Sequence, residues 1–242
     1  MPKIIGTEHE WELHRQLKLE YAGVGGRTEV QFLGFLVDAV TEGGEFIEVQ
    51  TGHFGDIVKK AKALVPAGRL RIIHPILTRK YIELFDTEGE LLRRTKSPRK
   101  GSPWDVFFQL IYAWSLPRLD NLAIELVLVE AVERRVADGK GSWRRKKVSI
   151  LNRGLLGIQG RISLEKPADY LMFVPFARAE DFTSGDLAER AGISRPLAGK
   201  TLYVLTRLGI VRPAGKRGRS FLYRVAVTSR ARKWKANPPV AD

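Results

Sequence analysis

The spacing of apolar positions changes period repeatedly along the chain, and each change marks an element. Over residues 8–22, Leu13, Leu17 and Tyr21 share one arc of about 100° with Glu10 and His14, which predicts an amphipathic helix. The GVGGR stretch at 23–27 ends it. Strand-like sequence follows from Glu29 and leads into FLVDAVTEGGEFIEVQTG, residues 35–52, which reads as a tight β-hairpin centred on Gly43. The segment 53–65 returns to helical spacing, with Ile57, Val58, Ala61, Leu64 and Val65 inward. RLRIIHPIL at 69–77 is a β-branched strand, so strand, helix and strand imply a parallel crossover.

Further along, residues 81–94 read as a second hairpin and 93–100 as a basic loop. Ser102 and Pro103 supply N-cap and N1 chemistry for a helix built from WDVFFQLIYAW, and NLAIELVLVEAV reads as another strand. These elements predict an α/β domain over residues 1–136. DGKGSWRRKK at 138–147 has linker character, and 137–181 is expected to be a linker and helical bridge. From Thr183, a short helix, a turn at Gly192-Ile193 and a helix capped by Ser194 suggest helix–turn–helix, and VRPAGKRGRSFLYRV adds two strands around a basic tip. Residues 182–228 are therefore expected to form a winged helix, followed by a basic tail at 229–242.

Composition narrows the chemistry. A chain of 242 residues, 44% hydrophobic and 28% charged, belongs with folded globular proteins, and no apolar run is long enough to span a bilayer. The N-terminal sequence lacks a signal-peptide core, so a cytoplasmic protein without membrane contacts is expected. Zero cysteines exclude disulfides, thiolate nucleophiles and zinc fingers. The four histidines (His9, His14, His53 and His74) are too few for a His-rich cage, which leaves an oxygen-lined site suited to Mg2+, Mn2+ or Ca2+. Net charge is +14, and its distribution is uneven: residues 182–242 hold 13 of the 41 basic side chains but 3 of the 27 acids. A polyanion, nucleic acid first, is the implied partner of that end.

Within the hairpin, a centre at Gly43 pairs positions whose numbers sum to 86 and sets Asp38 opposite Glu48. Opposed side chains on paired strands have Cβ atoms about 4.5–5.5 Å apart, where like charges repel. Glu48 and Gln50 share a face with Phe46, while Ile47 and Val49 take the other. A hard divalent cation between Asp38 and Glu48 would convert the repulsion into coordination. The competing arrangement leaves both acids on an open sheet face, balanced by Lys59 or Lys60.

A helix carrying an acid (Glu10), then Val37-Asp38, then Glu48-Val49-Gln50, then a helix and a strand, resembles the PD-(D/E)XK nuclease superfamily over roughly residues 8–78. The whole arrangement, with its terminal winged helix, is similar to an uncharacterised prokaryotic nuclease-like family. The resemblance implies a restriction-endonuclease-like mixed sheet flanked by helices. It implies Asp38, Glu48 and the Val49 carbonyl as ligands of Mg2+ (or Mn2+), with Glu10 as the first-helix acid completing the site. The third motif position is normally a lysine that orients the attacking water. Here it is Gln50, and an amide supplies neither a general base nor positive charge. Lys59 and Lys60 could replace the missing lysine in space, or simply face solvent. His14, on the inner face beside Glu10, suits a hydrogen bond that holds Glu10 or a satisfied, partly buried position, and His53 suits a contact to phosphate or the water or else a capping or surface role.

In the second half, Leu197, Thr201, Val204, Leu205 and Leu208 turn inward, so Arg195, Gly199 and Tyr203 point out with Lys200 and Arg207 on the flank. Long donors beside a small residue suit a recognition helix in the major groove, and Lys216, Arg217 and Arg219 suit phosphates or the minor groove. The basic stretches 93–100 and 144–147 could extend the track. The expectation is a metal-dependent endonuclease acting on duplex DNA. A homodimer would suit cutting of both strands. The rival expectation, kept open by Gln50, is a catalytically inactive DNA-binding regulator or architectural protein with a nuclease-like fold.

Overall fold

The structure is a computed structural model that describes residues 12–145 and 147–226. Glu10 and His9 lie outside the described residues, as does the basic tail at 229–242. The first helix, α1, spans Glu12–Ala22 and buries Leu13, Leu17 and Ala22. It stops where Gly26 passes so close to the Ala22 carbonyl that a Cβ would not fit. Strands β1 (Arg27–Phe32), β2 (Phe35–Val40) and β3 (Phe46–Val49) follow as antiparallel neighbours. In the β2–β3 pair, Ala39 faces Ile47 and Val40 faces Phe46, which is the register expected for the hairpin.

Helix α2 (Phe54–Leu64) then crosses over to β4 (Leu70–Phe85), which lies parallel to β3 with Glu48 beside Ile72. Phe54, Ile57, Ala61 and Leu64 are buried along α2, as the apolar spacing requires. Strand β5 (Leu91–Lys96) folds back on the far end of β4 as the second hairpin, and β6 (Leu122–Val136) runs parallel along the whole of β4.

The result is a mixed α/β architecture whose seven-stranded sheet has the order β1-β2-β3-β4-β6-β7, where β7 is Ser149–Leu164, with β5 paired to β4. Helices flank this sheet. On one face, α1 packs Leu13 and Leu17 against Ala39, Ile47, Val49 and Val127; on the other, Ile57, Ala61 and Leu64 join Val40, Phe46, Leu70 and Ile72.

Two expectations need correction. Residues 137–181 are not a helical bridge, because β7 (Ser149–Leu164) is a strand of the main sheet, antiparallel to β6, followed by a 3-10 turn at Pro167–Phe173. Its sequence hides this: Gly154, Gly157 and Gly160 interrupt the apolar alternation, and the pairing with β6 shifts register three times. The helix expected after Ser102 is also shorter. A capping box of Ser102 and Asp105 opens a 3-10 turn at Pro103–Val106, and α3 covers only Phe107–Leu110.

At the C-terminal end stand helices α4 (Ser184–Ala191) and α5 (Arg195–Arg207), then a hairpin of β8 (Val211–Arg217) and β9 (Ser220–Val225). Thr183 caps α4 by accepting a hydrogen bond from the Asp186 amide, and Gly192 ends it at φ 63°. Ser194 caps α5. The apolar side of this unit is not a separate core. Leu197, Leu202, Val204 and Leu205 join Phe107, Leu110, Leu116 and Phe173 in the cluster that also holds the α2 face of the sheet. Among the described residues, no helix is long and apolar enough to cross a membrane.

Candidate metal centre

Continuing the β2–β3 register by one pair brings Asp38 opposite Glu48. Neither acid lies on an open sheet face: Glu48 is 5% exposed, and the Asp38 side chain 21%. Each fixes the other's backbone. The Asp38 amide donates to Glu48 Oε1 at 3.2 Å, and the Val49 amide donates to Asp38 Oδ2 at 2.8 Å. Val49, expected to offer its carbonyl, thus also holds Asp38 through its N–H.

Two further side chains reach the pair from the flanking helices. His14 on α1 brings Nε2 to 3.3 Å from Asp38 Oδ2. From α2, Lys60 makes an ion pair with Glu48 Oε1 and donates to the Leu36 carbonyl at 2.5 Å. The cationic partner foreseen for an open face is therefore present inside a buried site. Among the described residues, these contacts fall on Asp38 Oδ2 and Glu48 Oε1.

The electrostatics of the two acids diverge. For Asp38, burial alone would raise the pKa, but the hydrogen bond and charge of His14, the Val49 amide and Lys60 together hold it below the usual carboxylate range. For Glu48, burial and then the Asp38 charge dominate over Lys60 and push its pKa up to about 7. Two carboxylates with separated titrations are what burial beside a like charge produces.

A stability prediction follows from that split. Glu48 binds its proton more tightly in the folded chain than in the unfolded one, so its contribution is present below about pH 4.5 and is lost as pH rises through about 7. His74, buried and with its pKa lowered by that burial, works in the opposite direction at mildly acidic pH. The comparison of wild type with Glu48→Gln cancels His74. In urea unfolding with EDTA, wild type should lose on the order of 3 kcal/mol relative to the variant between pH 5 and pH 8. A difference that does not change with pH would contradict the assignment.

The other expected site residues are placed as follows. Gln50 is not turned toward the acids: its amide nitrogen donates to the Gly52 carbonyl and, at 3.2 Å, to the His53 carbonyl. Its own carbonyl meets His74 Nδ1 at 2.6 Å. Gln50 therefore braces the loop into α2. His53 occupies the N-cap of α2 at φ 49°, exposed and without a side-chain cap bond. Lys59 faces solvent, and Glu10 lies outside the described residues.

A divalent cation fits the acids present. Among the described residues no group of three or more His, Cys, Asp or Glu is arranged around a single cation position. Magnesium does not require one, since it commonly takes one or two carboxylates and fills its shell with water and phosphate oxygens. Asp38 and Glu48 are the two carboxylates that could serve in this way.

On α5, Leu197, Thr201, Val204, Leu205 and Leu208 are buried, with Ala198 and Leu202 beside them. Arg195, Gly199, Tyr203 and Arg207 are exposed, and Lys200 is partly so. Arg207 lies over the rings of both Trp114 and Tyr203, at 5.2 and 5.3 Å. In the hairpin, Arg219 is exposed and Lys216 stands over Phe221, but Arg217 is bound to Asp186 at 2.5 Å. The residues expected to grip phosphate are thus unequal, because Arg217 already has a partner.

Comparison with known proteins adds a lineage. The family described as Domain of unknown function (DUF8091) matches residues 11–165, which take in α1, the whole seven-stranded sheet and the acidic pair. A relative from Treponema pallidum (strain Nichols), described as "Uncharacterized protein", is 31% identical over 221 residues, covering 91% of this chain and 87% of the relative. No solved structure matches the chain.

Proposed function

The chain belongs to the DUF8091 family, and on that premise we propose that it is a Mg2+- or Mn2+-dependent DNA endonuclease of the PD-(D/E)XK type. The observation that carries this reading is the buried Asp38–Glu48 pair, held opposite across β2 and β3 by reciprocal bonds to each other's strand. Support comes also from the element order. Helix, antiparallel strands, helix and parallel strand follow one another in a mixed sheet flanked by helices, the order that the superfamily resemblance implies.

In this reading Asp38 and Glu48 hold the metal, with the Val49 carbonyl as a further candidate ligand. When bound, the metal lowers the pKa of its water and clamps the phosphate. His14 orients Asp38 from α1. Lys60 supplies the positive charge that Gln50 lacks, from the helix following the motif rather than from the strand. An ammonium there steadies charge developing on the phosphorane and positions the attacking water. Gln50 fixes the loop that carries α2, and so acts on the site indirectly.

The helix pair and hairpin at 182–226 are read as a winged helix holding duplex DNA. Arg195, Lys200, Tyr203 and Arg207 would face the major groove, with Lys216 and Arg219 on phosphates. Arg217 would take part only by leaving Asp186.

One observation favours the rival reading of an inert DNA-binding protein: Lys60 already neutralises Glu48. Incubation with supercoiled plasmid and Mg2+ or Mn2+, with RNA as competitor, decides between them. Nicked product that depends on metal supports the nuclease. Shifted but uncut plasmid under both metals overturns it in favour of the regulator, and preferential loss of DNA binding to RNA redirects it to RNA.

A further inference from the structure

Beyond the acidic pair, a cleft of about 440 Å³ opens on the sheet, within the usual size range of ligand sites. It is lined by Lys80, Arg99, Arg153, Thr51, His74 and Asp105, among others. Its position follows from the topology. Thr51 lies three residues past Glu48, roughly 10 Å along an extended strand. On β4, His74 is two residues beyond Ile72, the neighbour of Glu48, and so shares its face. The cleft thus lies beyond the carboxyl end of β3, the edge at which open α/β sheets receive ligands, and continues the line of the metal centre.

The charge inside it is unbalanced. Glu133, 1% exposed, accepts Lys80 at 3.3 Å and Arg153 at 2.8 Å on one oxygen, and Arg135 at 2.5 Å on the other. Burial alone would raise the pKa of Glu133, but these cations outweigh it and bring it to about 2. Arg99, on the exposed loop after β5, adds a further positive charge to the lining, and Asp105 is its acid. The Asp105 Oδ2 already accepts the Ser102 amide. Among the described residues, the lining itself holds Lys80, Arg99 and Arg153 against Asp105 alone, a positive balance around a partly desolvated hollow. That is the inverse of the situation at Asp38 and Glu48, and it calls for an anion.

We propose that this cleft binds the phosphate that flanks the one positioned at Asp38 and Glu48, so that one nucleic-acid strand runs through both. The identity of the ligand as a strand rests on the nuclease reading; the anion site itself does not. Lys80 is a point donor, and the guanidinium of Arg99 offers a planar fork, a combination suited to a tetrahedral polyanion. His74, with Nδ1 on the Gln50 carbonyl, ties the cleft to the loop of the metal centre.

The test uses the full chain in EDTA, where nothing is cut, and a fluorescein-labelled 20-nucleotide single DNA strand read by anisotropy. Arg99→Gln and Lys80→Gln should each weaken binding about 10-fold. Each should also flatten the slope of log affinity against log salt by about 0.7. Arg99 is exposed, so its variant tests the idea even if Lys80→Gln disturbs folding. Inorganic phosphate serves as the second probe. If it protects wild type against thermal unfolding but not the variants, while strand affinity is unchanged, the cleft takes a free phosphate compound and the strand proposal falls. Unchanged affinity and slope in Arg99→Gln with both probes overturns the site altogether. Loss of strand binding in the variants of a chain that never nicks plasmid would sink the nuclease reading and leave the cleft standing.

Discussion

Asp38→Ala is expected to lower metal-dependent plasmid nicking by about 1,000-fold, and Glu48→Ala by a similar factor. Each removes one of two carboxylates available to the cation, and the metal supplies several kcal/mol of transition-state stabilisation, at about 1.4 kcal/mol per tenfold in rate. Folding should survive, because loss of either acid also removes the like-charge repulsion that adds to burial in raising the Glu48 pKa to about 7. Asp38→Asn sharpens the test. The amide keeps an oxygen for the Val49 N–H yet forfeits the negative charge. Nicking that persists in well-folded Asp38→Ala and Glu48→Ala protein would place the chemistry away from this hairpin.

The second large effect concerns Lys60. Lys60→Met should slow nicking by about 100-fold, the usual consequence of removing one preorganised positive donor from a water-poor site. It should also move the acidic limb of the pH–rate profile upward. Lys60 opposes the rise in the Glu48 pKa, so without it the carboxylate gains its charge at higher pH. Lys60→Arg should recover part of the rate and return the limb toward its original position. If Lys60→Met instead cuts faster than wild type, the ammonium is an internal neutraliser competing with the metal, and its proposed role is wrong.

Much of this site was readable in advance because hairpin geometry is arithmetic. Once Gly43 marks the centre, Ala39 must meet Ile47 and Val40 must meet Phe46, and the acids fall opposite one another. Helix faces were equally accessible from the spacing of Ile57, Ala61 and Leu64. The same spacing held a clue to Lys60. At 100° per residue it lies about 60° from Ile57, at the margin of the buried arc, whereas Lys59 points away. Its contact with Glu48 nevertheless required knowing how α2 settles on the sheet.

Strand β7 was not legible, for a different reason. As an edge strand with three glycines and repeated slips against β6, it lacks a steady period of two. The cleft was invisible too, since Lys80, Arg99, Glu133 and Arg153 come from three strands and a loop, and no local spacing links them. Arg217 misled for a similar reason: its partner, Asp186, sits on a helix 31 residues earlier.

Because the hydrophobic interior runs unbroken from the sheet into the α4–α5 pair, the two cannot swing independently like beads on a string. Helix α5 is bolted, through α3, to the same body that carries the hairpin acids. On the nuclease reading, such a molecule would measure like a caliper: incisions would fall at one set offset from wherever α5 sat in the groove, and product ends would be uniform rather than ragged.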